Sequence, residues 1–368
     1  MLTLTEYLAR HRTESAPKTE DVFPGEIYRS TRALYYDVPA NDKTYRVFAY
    51  LTLPQRKPPR GGFPAVVILH GGNGMAYYEV TKMWADSGFA AIAPDLNGKC
   101  AVSTAERNVV NPDGGPEGYG TNVRGEHPWA FFGVLSAMRA VDVLAALPEV
   151  NAQKICSCGL SWGGYLNLLF AAKERRLKAA SIIYSSAFTD ESSWGKNNTA
   201  SFSEQEKRGY AEKTEPKNYL PEITAPVFFT AGADDHAFSM ENRRRTAAAL
   251  RAPACFSLRR SFPHANIYGF EEPESAVFCK EVLAGRLPCT LSAAREGLAL
   301  RAVGAKAGSA LSLVFTRGDA AALPPPEWEE LPMPQGTAAL PAGCTAYFIA
   351  ERRRGGTQWS SPLYLAQP

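Results

Sequence analysis

The feature that most constrains this chain is a set of short, wholly apolar runs set between helical stretches. Ala65-Val-Val-Ile-Leu69 and Phe89-Ala-Ala-Ile-Ala93 show no polar alternation, and Lys154–Cys158, Ala179–Ser185, Pro226–Thr230 and Ala254–Leu258 are similar. A strand with one wet face alternates apolar and polar residues, so a continuous run predicts a strand covered on both faces. Between these runs, helices are predicted over Val80–Ser87, Ala130–Leu147, Gly163–Arg175, Asn242–Leu250 and Ser275–Ala284. The alternation predicts βαβ units and an α/β fold with a mostly parallel sheet.

The flanks differ. Residues 1–30 read as a short helix (about Thr5–Arg12) and a polar lead-in, ahead of strands over 31–53. Residues 31–286 read as the catalytic unit. After Arg286 the helical period stops. Ala310-Leu-Ser-Leu-Val-Phe315 and Ala346-Tyr-Phe-Ile-Ala350 lie among Pro-rich turns, which predicts a small all-β sandwich over 287–368. A carbohydrate-binding module, a cover for the catalytic unit and an oligomer contact are the three readings of this segment, a structural role being favoured. The long segments 97–128 and 190–220 read as walls of a site.

The chemistry concentrates at Gly159-Leu-Ser161-Trp-Gly163-Gly164, between a predicted strand and a predicted helix. In that context Gly-x-Ser-x-Gly describes a tight turn that lifts a serine hydroxyl above the sheet, beside a helix N-terminus. Serine is a weak nucleophile and needs a base, and the base needs an orienting acid. After such a turn the acid precedes the histidine in the chain. Only His236 and His264 follow Ser161, and His264 stands between the last predicted strand and the last helix, where the base belongs. The acid falls in Asp234-Asp235-His236, with Asp235 favoured and Asp234, as a brace of its loop, the runner-up. His70-Gly71-Gly72-Asn73-Gly74 follows a strand end, so the N–H of Gly72 or Asn73 joins that of Trp162 as oxyanion donors. His70 itself is expected to be structural. Trp162, Trp194 and Trp129 are candidate platforms for sugar rings, whereas Trp84 is expected in the core.

Other functions are disfavoured. With 40 Lys and Arg against 37 Asp and Glu, the formal charge is +3, and no basic stripe suggests nucleic acid. Arg243–Arg245 and Arg352–Arg354 read as solvated faces. No apolar run is long enough to span a membrane. The first twenty residues lack a leader's apolar stretch, and seven irregularly spaced Cys do not form a disulfide framework, so a cytoplasmic setting is expected. The five His lack ligand spacing, so neither metal nor cofactor is expected.

Gly159–Tyr165, Tyr184-Ser-Ser-Ala-Phe188, the Trp194 segment, Pro64–Gly72 and Gly88–Asp95 together resemble bacterial acetylxylan esterase-like and dienelactone hydrolase-like α/β-hydrolases, and the C-terminal segment is similar to the β-sandwich carried by some of them. The resemblance implies ester hydrolysis, with removal of acetyl groups from a polysaccharide as the expected reaction and a small-molecule or oligosaccharide ester as the expected substrate, and its carboxylate falls on Asp235. It departs at Pro263 before His264 and at Asn73 in the glycine run. A peptidase of the prolyl-oligopeptidase type, a dienelactone-type hydrolase of small esters and a non-catalytic binder are the alternatives. The peptidase usually carries a large propeller before its catalytic unit, and only about 60 residues precede the first core strand here, so it ranks below the esterase. A homo-oligomer is compatible with all of these readings.

Overall fold

The computed structural model describes residues 2–22, 30–40, 43–72, 74–96 and 129–366. In chain order the elements are α1 (Leu4–His11), β1 (Thr19–Asp21), β2 (Thr31–Ala40), β3 (Lys43–Thr52), β4 (Phe63–Leu69), α2 (Tyr78–Asp86), β5 (Ala90–Pro94), α3 (Trp129–Ala145), β6 (Val150–Leu160), α4 (Trp162–Lys173) and β7 (Leu177–Ile183). Then follow α5 (Ser193–Asn198), α6 (Glu204–Thr214), β8 (Val227–Gly232), α7 (Met240–Ala249), β9 (Ala254–Arg259), α8 (Asn266–Glu271) and α9 (Glu274–Leu283). The C-terminal strands are β10 (Ser292–Glu296), β11 (Ala299–Val303), β12 (Ala310–Thr316), β13 (Glu329–Pro332), β14 (Thr337–Ala339), β15 (Ala346–Arg352), β16 (Gln358–Ser360) and β17 (Tyr364–Leu365).

The central strands run β5-β4-β6-β7-β8-β9, all parallel, and β1-β2-β3 extend this sheet antiparallel beyond β5. The apolar runs are these strands, and the two faces explain them. Ala65, Val67 and Leu69 join the core under α1, α3 and α4, whereas Val66 and Ile68 join the core under α2 and α9. Side chains alternate across a strand, so burying both sets requires helices on both faces. From β4 the chain steps outward to β5, then returns to place β6 on the other side of β4. The β4–β6 boundary is therefore the switch point of the sheet, where open α/β sheets form a crevice at their strand ends.

The C-terminal strands form two layers. β10, β11 and β14 make a three-stranded sheet. β16, β15, β12 and β13 hydrogen-bond in that order, and Ser360 of β16 pairs with Phe256 of β9, so this layer continues the central sheet. Leu300, Leu313, Ile349 and Trp359 share a core with Phe228 of β8 and Phe278 of α9. The six cysteines among the described residues are free thiols, five of them buried. No helix among the described residues is long and apolar enough to cross a membrane.

Candidate active site

Ser161 is the single residue between β6 and α4, and it adopts φ 55° and ψ −117°. A non-glycine residue at that φ is strained, and the surrounding backbone holds it there. Its N–H donates to Ile183 O at 2.7 Å, and its own carbonyl accepts from Gly164 N at 2.8 Å and Tyr165 N at 3.0 Å. The flanking glycines make the turn possible. A Cβ on Gly159 would stand 2.2 Å from Gly163 O, and one on Gly163 would stand 2.2 Å from Leu69 O and 2.4 Å from His70 O. Strand and helix thus approach each other, and helix and β4, more closely than any side chain allows.

The Ser161 hydroxyl lies 2.8 Å from His264 Nε2, and His264 Nδ1 lies 3.0 Å from Asp235 Oδ1. Ser161 ends β6, Asp235 follows β8, and His264 follows β9. Each is delivered by a different parallel strand to the same end of the sheet. The His264 ring is held between aromatic planes, stacked on Tyr184 at 4.6 Å and 22° and parallel to Phe238 at 6.2 Å and 7°. His236 is exposed, with its ring tilted 53° against His264 at 5.5 Å, and it does not enter the relay.

The two neighbouring aspartates part ways. Asp234 is exposed and accepts from Ser261 Oγ at 2.5 Å and Phe262 N at 3.1 Å, which ties its turn to the His264 loop. Asp235 has a fully buried side chain. Its Oδ1 also accepts from Ala237 N at 2.8 Å and Phe238 N at 3.2 Å, and its Oδ2 is paired with Arg243. Burial alone would push this carboxyl up. The Arg243 charge and the hydrogen bonds from His264 and Ala237 outweigh it and bring it down to about 2. The acid is therefore ionised across the neutral range.

Arg243 corrects the expectation that Arg243–Arg245 is a solvated face. Arg244 pairs with Glu241 and Arg245 with Glu191 near the surface, but the Arg243 side chain is 2% exposed. The run looked uniform because sequence carries no sign of which arginine of a polar helix turns inward.

His70 is structural. Leu96 N–H donates to its Nε2 at 2.9 Å, which leaves the proton on Nδ1, 2.8 Å from Gly71 O. The ring is locked to the loop that carries Gly71 and Gly72. A Cβ on Gly72 would meet Trp162 Cβ at 3.5 Å, so this backbone passes directly over the start of α4. Trp162 itself needs correction as a sugar platform. Its ring is 6% exposed, lies in the main core and stacks on His70 at 6.1 Å, so only its backbone N–H remains a candidate contact. Trp84 is in the core, edge-on to Phe89. Asn73 and the proposed wall 97–128 lie outside the described residues, as do the side chains of Trp129 and Trp194.

The dienelactone hydrolase family profile matches residues 47–281, which contain the strand ends, Ser161, Asp235 and His264. The chain belongs to the dienelactone hydrolase family. It is thereby an enzyme of a hydrolase family. Among solved structures it is similar to the acetyl xylan esterase from Paenibacillus sp. R4 (TM-score 0.56, 20% identity, covering 75% of this chain and 91% of that one). It is also similar to acetyl xylan esterase 1 from Thermoanaerobacterium sp. JW/SL YS485 (TM-score 0.57, 18% identity, covering 76% and 93%). At these identities the likeness is one of fold, and it identifies the architecture as that of an α/β-hydrolase carrying extra C-terminal strands.

Proposed function

We propose that this protein is a serine carboxylic-ester hydrolase that removes acyl groups from acylated carbohydrates through an acyl-enzyme. The observation that carries this reading is the unbroken hydrogen-bonded line Ser161–His264–Asp235, at 2.8 Å and 3.0 Å. His264 Nε2 takes the proton as Ser161 Oγ attacks the acyl carbonyl carbon, and then gives it to the departing alcohol oxygen. Water, deprotonated by the same nitrogen, attacks the acyl-enzyme and releases the carboxylic acid. Asp235 holds the imidazole with its Nδ1 proton facing the carboxylate and stabilises the imidazolium. The backbone N–H groups of Trp162 and Gly72 serve the oxyanion, a donor of this kind being worth about 3 kcal/mol in the transition state.

Family membership favours a second reading of the substrate, a small ester or lactone rather than an oligosaccharide. The test is acetate release from acetylated xylo-oligosaccharides, alongside hydrolysis of 4-nitrophenyl acetate and of an aryl lactone, by wild type and Ser161→Ala. Turnover of the sugar ester that Ser161→Ala abolishes supports the first reading. Turnover of the lactone and aryl ester alone moves the substrate to the second. Full activity of Ser161→Ala would sink the nucleophile.

A further inference from the structure

We propose that Arg243 is a positioning residue of this site, a buried cation on α7 that fixes the Asp235 carboxylate in the plane and charge state that His264 requires. The inference rests on the catalytic reading above and deepens it.

The geometry is that of a clamp. Arg243 Nη2 is paired with Asp235 Oδ2 and also donates to Tyr184 O at 3.2 Å, while Nη1 donates to Phe238 O at 2.8 Å. One guanidinium thus links the three segments that surround His264. They are the acid itself, the carbonyl of Tyr184 (whose ring stacks on the imidazole) and the carbonyl of Phe238 (whose ring lies parallel on it). Asp235 Oδ1 is already occupied by Ala237 N, Phe238 N and His264 Nδ1. Oδ2 is left for the guanidinium. A planar fork that holds one oxygen leaves the other facing the imidazole, which a flexible point charge does less well.

The charge has its own consequence. Both side chains are withdrawn from water, so neither is screened by solvent, and removal of one partner leaves the other charge buried alone. Among the described residues, the other groups facing this pair are few. Asp234 lies on the same turn and His236 follows it. Tyr184 comes from the end of β7, Ser161 from the elbow, and Arg259 lies over Phe262 at 4.2 Å on the His264 loop. Without Arg243 the Asp235–His264 pair holds a proton more easily, because the cation that opposed it is gone. The site then loses its free base at a higher pH.

The experiment is the pH profile of kcat/KM for 4-nitrophenyl acetate between pH 5 and 9, with thermal melts. It compares wild type, Arg243→Met, Arg243→Lys, Asp235→Asn, Asp235→Asn/Arg243→Met and Ser161→Ala. Arg243→Met is expected to lose roughly 10- to 100-fold, in kcat rather than KM, and to move the acidic limb up by about one pH unit. Arg243→Lys returns the limb to its wild-type place with only part of the rate. The double variant is no slower than Asp235→Asn, since the cation has nothing left to orient. A limb that stays in place in Arg243→Met, or a double variant slower than Asp235→Asn by the full single-variant factor, overturns the proposal. If Arg243→Met does not fold, Arg243→Lys with the full wild-type kcat, or a double variant (in which no unpaired charge remains) at least about 10-fold slower than Asp235→Asn, overturns the proposal. Retained activity in Ser161→Ala would sink the catalytic reading on its own, whatever Arg243 does.

Discussion

Two helical glycines give the same substitution opposite signs. At Gly163, the second residue of α4, an added Cβ would stand 2.2 Å from Leu69 O, 2.4 Å from His70 O and 2.7 Å from Leu69 C. All three are backbone atoms, so no side-chain rotation relieves the clash. A Cβ contact essentially never falls below 3.0 Å, so the end of β4 and the start of α4 must part by about 0.8 Å. Those segments carry Gly72 on the β4 side and Ser161 and Trp162 on the α4 side. A misplacement on the order of 1 Å costs about 100-fold in rate, and forced overpacking costs about 1–3 kcal/mol in stability. Gly209, inside α6, has nothing within 4 Å of its hypothetical Cβ, so alanine there relieves only the entropy of a helical glycine, worth about 0.5–1 kcal/mol. Gly163→Ala is therefore expected to lower both kcat on 4-nitrophenyl acetate and the melting temperature, and Gly209→Ala to raise the melting temperature with unchanged kcat. A Gly163→Ala enzyme with wild-type kcat and stability would refute the account of the elbow.

Asp235→Asn is expected to lower kcat by roughly 10³- to 10⁴-fold with little change in KM, because an amide NH₂ must face either the Arg243 guanidinium or the donors Ala237 N, Phe238 N and His264. The depressed Asp235 carboxyl stabilises the fold at pH values above about 4, and that contribution fades as pH falls toward 2. The acid melting curve of Asp235→Asn should be flatter over that window. Glu215 runs the other way. Burial and nearby Asp190 push it up to about 7 against the Thr189 hydrogen bond, so stability is greatest below about 4.5 and falls as pH rises through 7, by roughly 3 kcal/mol in all. Glu215→Gln should abolish that decline in melts taken from pH 4 to 8. Trp359→Ala, which empties a buried site against Phe228 at the seam with β9, should cost about 3–5 kcal/mol. It should lower one shared transition, and an early separate melting of the C-terminal strands with activity intact would contradict the common core.

The parts of this structure legible in the sequence are those written in local pattern. Unbroken apolar runs such as Ala65–Leu69 require cover on both faces, and the two cores under Val67 and Val66 supply it. Gly159 and Gly163 mark the elbow because backbone crowding leaves no other residue possible there. His264 follows from chain order, since the last parallel strand must end near the serine. The helix ends shifted by a residue or two, as at Tyr78–Asp86 against the expected Val80–Ser87, because periodicity marks the buried face of a helix and not its terminal residues.

What was not legible depends on tertiary direction. Asp234 and Asp235 are the same residue type in one turn, and only the fold decides that the first reaches Phe262 N and the second His264. Trp162 is expected as a sugar platform from its place beside Ser161, yet its side chain enters the main core and stacks on His70. Arg243 was hidden most completely. Helix α7 carries Glu, Asn and three Arg in its first turns, and its buried residues are Met240, Asn242, Arg243 and Thr246, so three of the four side chains turned inward are polar. A hydrophobic pattern reports where oil is buried. A buried charge leaves no such trace, and it is tolerated only where a partner satisfies it. That partner is Asp235, so the residue that sequence reasoning assigned to solvent stands one ion pair away from His264.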